Sequence, residues 1–147
     1  MQNCTRRLEE IKASGTIVLD DNGKILTEYQ KNLDRRQQPG AGYAFLKWVY
    51  QNLYNTERCK QVPITSVQDD NENFLEFPTD PALANFDRDD RKFVAVARAH
   101  PQHPPILTAI DTDWWESRHA LSNNGVQLDF LCEEEVQRLH QQKVGHL

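Results

Sequence analysis

Short β-branched and apolar runs recur along this chain, each set apart from the next by sequence with helical spacing. They lie at residues 16–19, 62–67, 105–110 and 126–131. Such runs are too short for helices, and their alternation with helical stretches points to helices packed over a sheet. The spacing therefore predicts an α/β fold, a three-layer sandwich around one mostly parallel sheet.

The helical stretches have identifiable stripes and stops. Leu8 and Ile11 share one side of a helix over 3–14, which Gly15 ends. Asp21 caps a helix over 23–33 whose stripe is Ile25, Tyr29 and Leu33, with Glu28 at its border. Phe45, Trp48, Val49 and Leu53 define a third helix after the turn Pro39-Gly40-Ala41-Gly42. Residues 88–99 form a helix with Asp87 as N-cap and Phe93, Val96 and Ala97 toward the core, and residues 113–123 form another. Residues 68–73 are expected to be solvated loop, and 77–86 an ordered but irregular connection.

A chain of 147 residues fits one domain. It is expected to span residues 1–132, with a polar tail over 133–147 that can be helical. Three Trp and six Phe compensate for a hydrophobic fraction of only 38%. No apolar run has the length of a membrane span, and the first residues lack the apolar core of a signal peptide. A soluble cytoplasmic protein without membrane contact is expected. Cys4, Cys59 and Cys132 lack metal-ligand spacing and suit free thiols in a reducing compartment. A net charge of −5 excludes a generally basic nucleic-acid coat, though not a nuclease.

Chemistry concentrates between Asp87 and Trp114. Asp90 opens a helix, and Asp111 and Asp113 follow the apolar run 106–110. Singly, each has a plain role: dipole stabilisation for Asp90, a turn for Asp111, an N-cap for Asp113. Together they fall where open α/β sheets form sites, beyond the carboxyl ends of strands. Glu28 adds an acid from another helix. Crowded carboxylates repel, and a hard divalent cation, Mg²⁺ or Mn²⁺, removes that cost.

The stretches Asp90-Arg-Lys-Phe-Val-Ala-Val-Ala97 and Ile106-Leu-Thr-Ala-Ile-Asp111-Thr-Asp113-Trp114, with Leu26-Thr-Glu28-Tyr29, give the chain a resemblance to the PIN-like domain superfamily of metal-dependent ribonucleases. The resemblance covers roughly residues 16–131. It implies Glu28, Asp90 and Asp111 as metal-binding acids, Asp113 as an auxiliary, and Mg²⁺ or Mn²⁺ as cofactor. The implied chemistry is hydrolysis of RNA phosphodiesters by metal-activated water, with Thr108 or Thr112 available to orient water or substrate. Bacterial toxin nucleases belong to this superfamily, so an antitoxin-like protein partner and a homodimer enter as expectations. The pattern also calls for an opening apolar strand that ends in Asp. Here Met1 leads into a polar helix, and residues 16–21 are the only early candidate. The opening strand and its acid are expected to be missing, through a misplaced start, truncation or decay, leaving a weak or inactive enzyme.

Other readings stay open. An inactive PIN-like binding or scaffold protein follows from the missing strand. A phosphoreceiver-like module follows from Ile17-Val-Leu-Asp20-Asp21-Asn22, although no phosphoacceptor Asp closes the run 62–67. Lys24, Lys31, Arg35, Arg36, Lys47 and Arg118 can meet RNA phosphates or be ordinary surface charge. His100 and His103 lack a third ligand. Of Trp114 and Trp115, which can stack on bases, one is expected in the core.

Overall fold

A computed structural model describes residues 2–36, 41–108 and 112–130. Helix α1 (Gln2–Ser14) leads into strand β1 (Ile17–Asp20). Then follow α2 (Lys24–Arg36), α3 (Ala41–Gln51), β2 (Cys59–Val62) and a hairpin of β3 (Ser66–Val67) and β4 (Asp70–Phe74). The chain continues through 3-10 turns at Pro81–Leu83 and Arg88–Asp90 into α4 (Arg91–Ala99), β5 (Ile106–Thr108), α5 (Thr112–Asn123) and β6 (Leu128–Phe130). The fold is mixed α/β, with short parallel and antiparallel pairs. Among the described residues no helix is long and apolar enough to cross a membrane. The expected tail lies outside the described residues.

The single sheet expected from the sequence is not what the described strands form. They make three separate pairs: β1 with β2 and β5 with β6, both parallel, and β3 with β4, antiparallel. The run expected at 62–67 is split because Pro63, with no N–H for the ladder, follows the last residue of β2. Its far half turns back on itself. Asp69, with φ of 66°, sits between β3 and β4, so part of the expected loop 68–73 is a strand.

Two apolar clusters hold these pieces. One joins Leu19, Ile25, Leu46, Val49 and Val96 around β1 and β2. The other joins Leu83, Val94, Ile106, Trp114 and Leu121 around β5 and α5. Helix α4 serves both, because its small residues Val94, Ala95, Val96 and Ala97 are all buried. Val96 belongs to the first cluster and Val94 to the second. Phe93 packs against both and contacts Tyr29 and Trp114 edge-on or tilted.

Helix ends follow local chemistry. The Gly15 amide donates to Ile11 O at 2.7 Å, and a Cβ there would meet Ile11 Cα at 2.9 Å, so only glycine turns the chain this closely into β1. The cap of α2 is Asp20, not Asp21. Its carboxylate accepts from the amides of Asn22 (3.1 Å), Lys24 (2.9 Å) and Ile25 (2.9 Å). Asp87 caps as expected, accepting from the Asp89 amide at 2.9 Å, but the turn it caps is the 3-10 turn before α4.

Candidate functional site

The carboxyl ends of β1 and β5 share one edge of the molecule. β1 ends at Asp20 and feeds α2, and Glu28 of α2 reaches Lys92 in the first turn of α4. Helix α4 packs on both β1 and β5 and then leads back to the start of β5. Both strands therefore run opposite to α4, and both end near its beginning.

Asp90 stands at that beginning, in the N-cap position of α4. Its side chain makes no capping bond to the helix and lines a cavity together with Thr108 and Trp114. Arg91 fixes the segment that presents it. The guanidinium donates to Asn73 Oδ1 at 3.0 Å, Ala84 O at 3.0 Å and Phe86 O at 3.3 Å, and lies 4.5 Å from the centre of the Phe77 ring. That bracing holds the irregular connection against α4.

Glu28 occupies different surroundings. The Lys92 ammonium donates to Glu28 Oε2 at 3.3 Å, with both side chains mostly buried. The Glu28 carboxylate thus has a neutralising base in Lys92, besides any cation. Asp113 is exposed in the first turn of α5. Asp111 lies outside the described residues. Among the described residues, no three His, Cys, Asp or Glu side chains are arranged to hold a metal ion.

A second cleft of about 220 Å³ is lined by Lys24, Lys31, Arg88 and Lys92 together with Glu28 and Glu72. Arg88 pairs with Asp70 and, at 3.4 Å, with Glu72. The hydrogen bond from Arg88 holds the Asp70 carboxyl below the usual carboxylate range. Of the bases expected to face RNA, Lys24 and Lys31 line this cleft. Lys47 is exposed on α3. Arg118 lies 3.8 Å from the centre of the Trp115 ring. The side chains of Arg35 and Arg36 lie outside the described residues.

The remaining candidates resolve plainly. Trp114 is buried, and Trp115 is half-buried against Phe130. His100 Nδ1 accepts from the Gln102 amide at 3.1 Å, and His103 takes a φ of 47° in the same turn. Asp20, the strand-end acid of the phosphoreceiver reading, is buried and holds backbone amides with both oxygens. Thr108 is buried, and its hydroxyl has no hydrogen-bond partner among the described residues. The side chain of Thr112 lies outside the described residues.

Burial also changes Tyr29, which lines the cavity beside Phe93. Desolvation pushes its phenol from the ordinary value near 10 up to about 12. The unfolded chain therefore loses this proton first as pH rises. The contribution to stability is complete below about 10, falls above it and is gone above about 12. Urea midpoints at about pH 8 and about pH 11 should drop more for the native chain than for Tyr29→Phe. Equal drops would show that Tyr29 ionises as freely when folded as when unfolded.

Comparisons with family models, curated proteins and solved structures find no match for this chain.

Proposed function

We propose that this chain is a metal-dependent ribonuclease-type domain, a three-layer α/β sandwich of PIN-like character, weak or inactive as the 147-residue form. In this reading Glu28, Asp90, Asp111 and Asp113 are the acids of a Mg²⁺ or Mn²⁺ site, and RNA is the substrate. A toxin-like role would bring an antitoxin-like partner. The observation that carries the reading is the position of Asp90. It rims a cavity at the carboxyl edge of β1 and β5, beside Thr108, where β5 leads toward Asp111. The cleft beside Glu28, where Lys24 and Lys31 stand next to Arg88 and Lys92 that already pair with acids, supports a phosphate contact through the two lysines of α2. Layering is supported by β6, where Leu128 and Phe130 pack into the cluster with α5 while Asp129 turns to Arg7 of α1.

One observation favours the second reading, an inactive binding or scaffold protein. Lys92 already neutralises Glu28, so a cation there must displace an ammonium from a mostly buried carboxylate. The two readings separate in one set of measurements. The chain should bind single-stranded RNA, with affinity falling as salt rises. Lys24→Ala and Lys31→Ala should each lower the salt slope by about 0.7 for every phosphate that the lysine neutralises. Cleavage with Mg²⁺ or Mn²⁺ should be slight and should disappear in Asp90→Asn and Asp111→Asn. Binding with no metal-dependent cleavage supports the scaffold reading. Robust cleavage that survives both substitutions removes this acidic site from the chemistry. Absence of salt-dependent binding removes RNA.

A further inference from the structure

Exposed aromatic surface is concentrated in one part of this protein. Tyr43 (49% exposed), Tyr50 (49%) and Tyr54 (89%) belong to α3 and the turn that follows it. Single exposed aromatics are ordinary, but three of the chain's four tyrosines gathered in one segment form a patch. Helical spacing aligns the first two. Tyr43 and Tyr50 are seven residues apart on α3, so they share a face about 10 Å apart along the axis. Lys47 follows the first by four residues and precedes the second by three, which puts it between them on that face. It is exposed as well. Leu46 and Val49 carry the core side of the helix, with Phe45 and Trp48 packed beside them.

Tyr54 stands where the helix gives way to a turn, closed by the Asn55 amide on Asn52 O at 3.0 Å. That turn lies beside β2, because Gln61 Nε2 donates to Leu53 O at 3.2 Å. Lys60, next to Gln61 on β2, is exposed. Among the described residues, the side chains of Tyr43, Lys47, Tyr50, Tyr54 and Lys60 have no hydrogen-bond, ion-pair or ring partner. The charge here is one-sided. The protein carries −5 overall, yet residues 35–56 contain three bases, Arg35, Arg36 and Lys47, and no acid.

We infer that this face of α3 is a stacking platform for single-stranded RNA, in which bases stack on Tyr43, Tyr50 and Tyr54 while Lys47 and Lys60 meet phosphates. The inference rests on RNA as the partner proposed above, and adds the form of the RNA and the surface that holds it. Aromatic planes interleaved with cations match a strand whose bases are unpaired, since every base has a π-face and every linkage a negative charge. A duplex keeps those faces inside its own stack and is met through its backbone. A protein occupant fits less well. The 11 residues of α3 span about 16 Å, and a helix is about 10 Å across, so the face covers about 160 Å². A stable protein interface buries about 800 Å² on each side. A two-fold antiparallel pairing of two such stripes also sets Lys47 against Lys47, in a segment with no acid to neutralise them.

The test is fluorescence anisotropy of the full chain in EDTA, so that no readout depends on cleavage. Three labelled probes of equal length are compared: oligouridylate, an abasic oligomer with the same backbone, and an RNA duplex. Oligouridylate should bind tightest. Tyr43→Ala, Tyr50→Ala and Tyr54→Ala should each weaken it by at least about fivefold, the loss of one stacked base. Tyr50→Phe, which keeps the ring, should stay within about twofold of the native chain. Lys47→Ala should lower the salt slope by about 0.7. The abasic oligomer and the duplex should bind more weakly and should not respond to the tyrosine substitutions. Urea midpoints should be unchanged in every variant, because the substituted side chains are exposed. Salt-dependent oligouridylate binding that survives all three alanine substitutions overturns the platform and leaves the RNA reading standing. Abasic binding as tight as that of oligouridylate overturns it too. Tyrosine-dependent binding without metal-dependent cleavage upholds the platform while the nuclease reading fails, and absence of RNA binding removes both. A dimer in sedimentation that Tyr50→Ala dissolves assigns the face to a second copy. A Glu-rich peptide that displaces oligouridylate and binds more tightly assigns it to an acidic protein. Either result overturns the assignment to RNA.

Discussion

Trp114→Ala is expected to lower stability by about 3–5 kcal/mol, the usual range for deleting a large aromatic from a packed core. Trp114 is only 6% exposed. Its ring meets Phe86 edge-on at 5.0 Å and Phe93 at 6.4 Å, so truncation leaves a void between the irregular connection and α4. The neighbouring Trp115→Ala is the control. That ring is half-buried, and among the described residues its removal frees Phe130 and Arg118 at the periphery. Urea unfolding should give a much lower midpoint for Trp114→Ala than for Trp115→Ala. Similar midpoints would mean that Trp114 does not anchor the second cluster.

Asp20→Ala is expected to cost about 3 kcal/mol. Asp20 is 3% exposed, and its two oxygens satisfy three amides at the start of α2. Hydrogen bonds to a charged group are among the stronger ones, and removing the acceptor leaves the buried Ile25 amide unpaired. Asp20→Asn should recover part of the loss, because one amide oxygen can still accept. Amide exchange in the first turn of α2 should accelerate together with the drop in the urea midpoint. An Asp20→Ala protein as stable as the native chain would rule out capping as the role of this carboxylate.

Asp20 also shows where local chemistry misleads. Asp20 and Asp21 are both good capping residues, and nothing local separates them. Asp20 ends the strand, and its side chain points to the buried face, where it meets the turn that follows. Lys92 escapes a local reading for a related reason. Its distance along the chain from Glu28 hides a contact made only when α2 and α4 pack side by side. A one-sided apolar stripe understates the burial of Val94 and Ala95, because α4 lies between two clusters. That one of Trp114 and Trp115 is in the core, and the caps at Asp87 and Gly15, need only local chemistry and agree with the structure, which alone picks out Trp114.

By itself the sequence determined the helices α1 to α5 and the strands β1, β5 and β6 to within a few residues, because periodicity and Gly15 act over one or two turns, but it missed the hairpin of β3 and β4. It also determined that Asp90 begins a helix. Only the tertiary structure decided which strand pairs with which, and that β1 and β5 flank a cavity instead of each other. It alone paired Glu28 with a lysine. Strand pairing and ion pairing are contacts between segments distant in the chain. Their energy depends on the neighbours that packing brings, and no local pattern of residues encodes that.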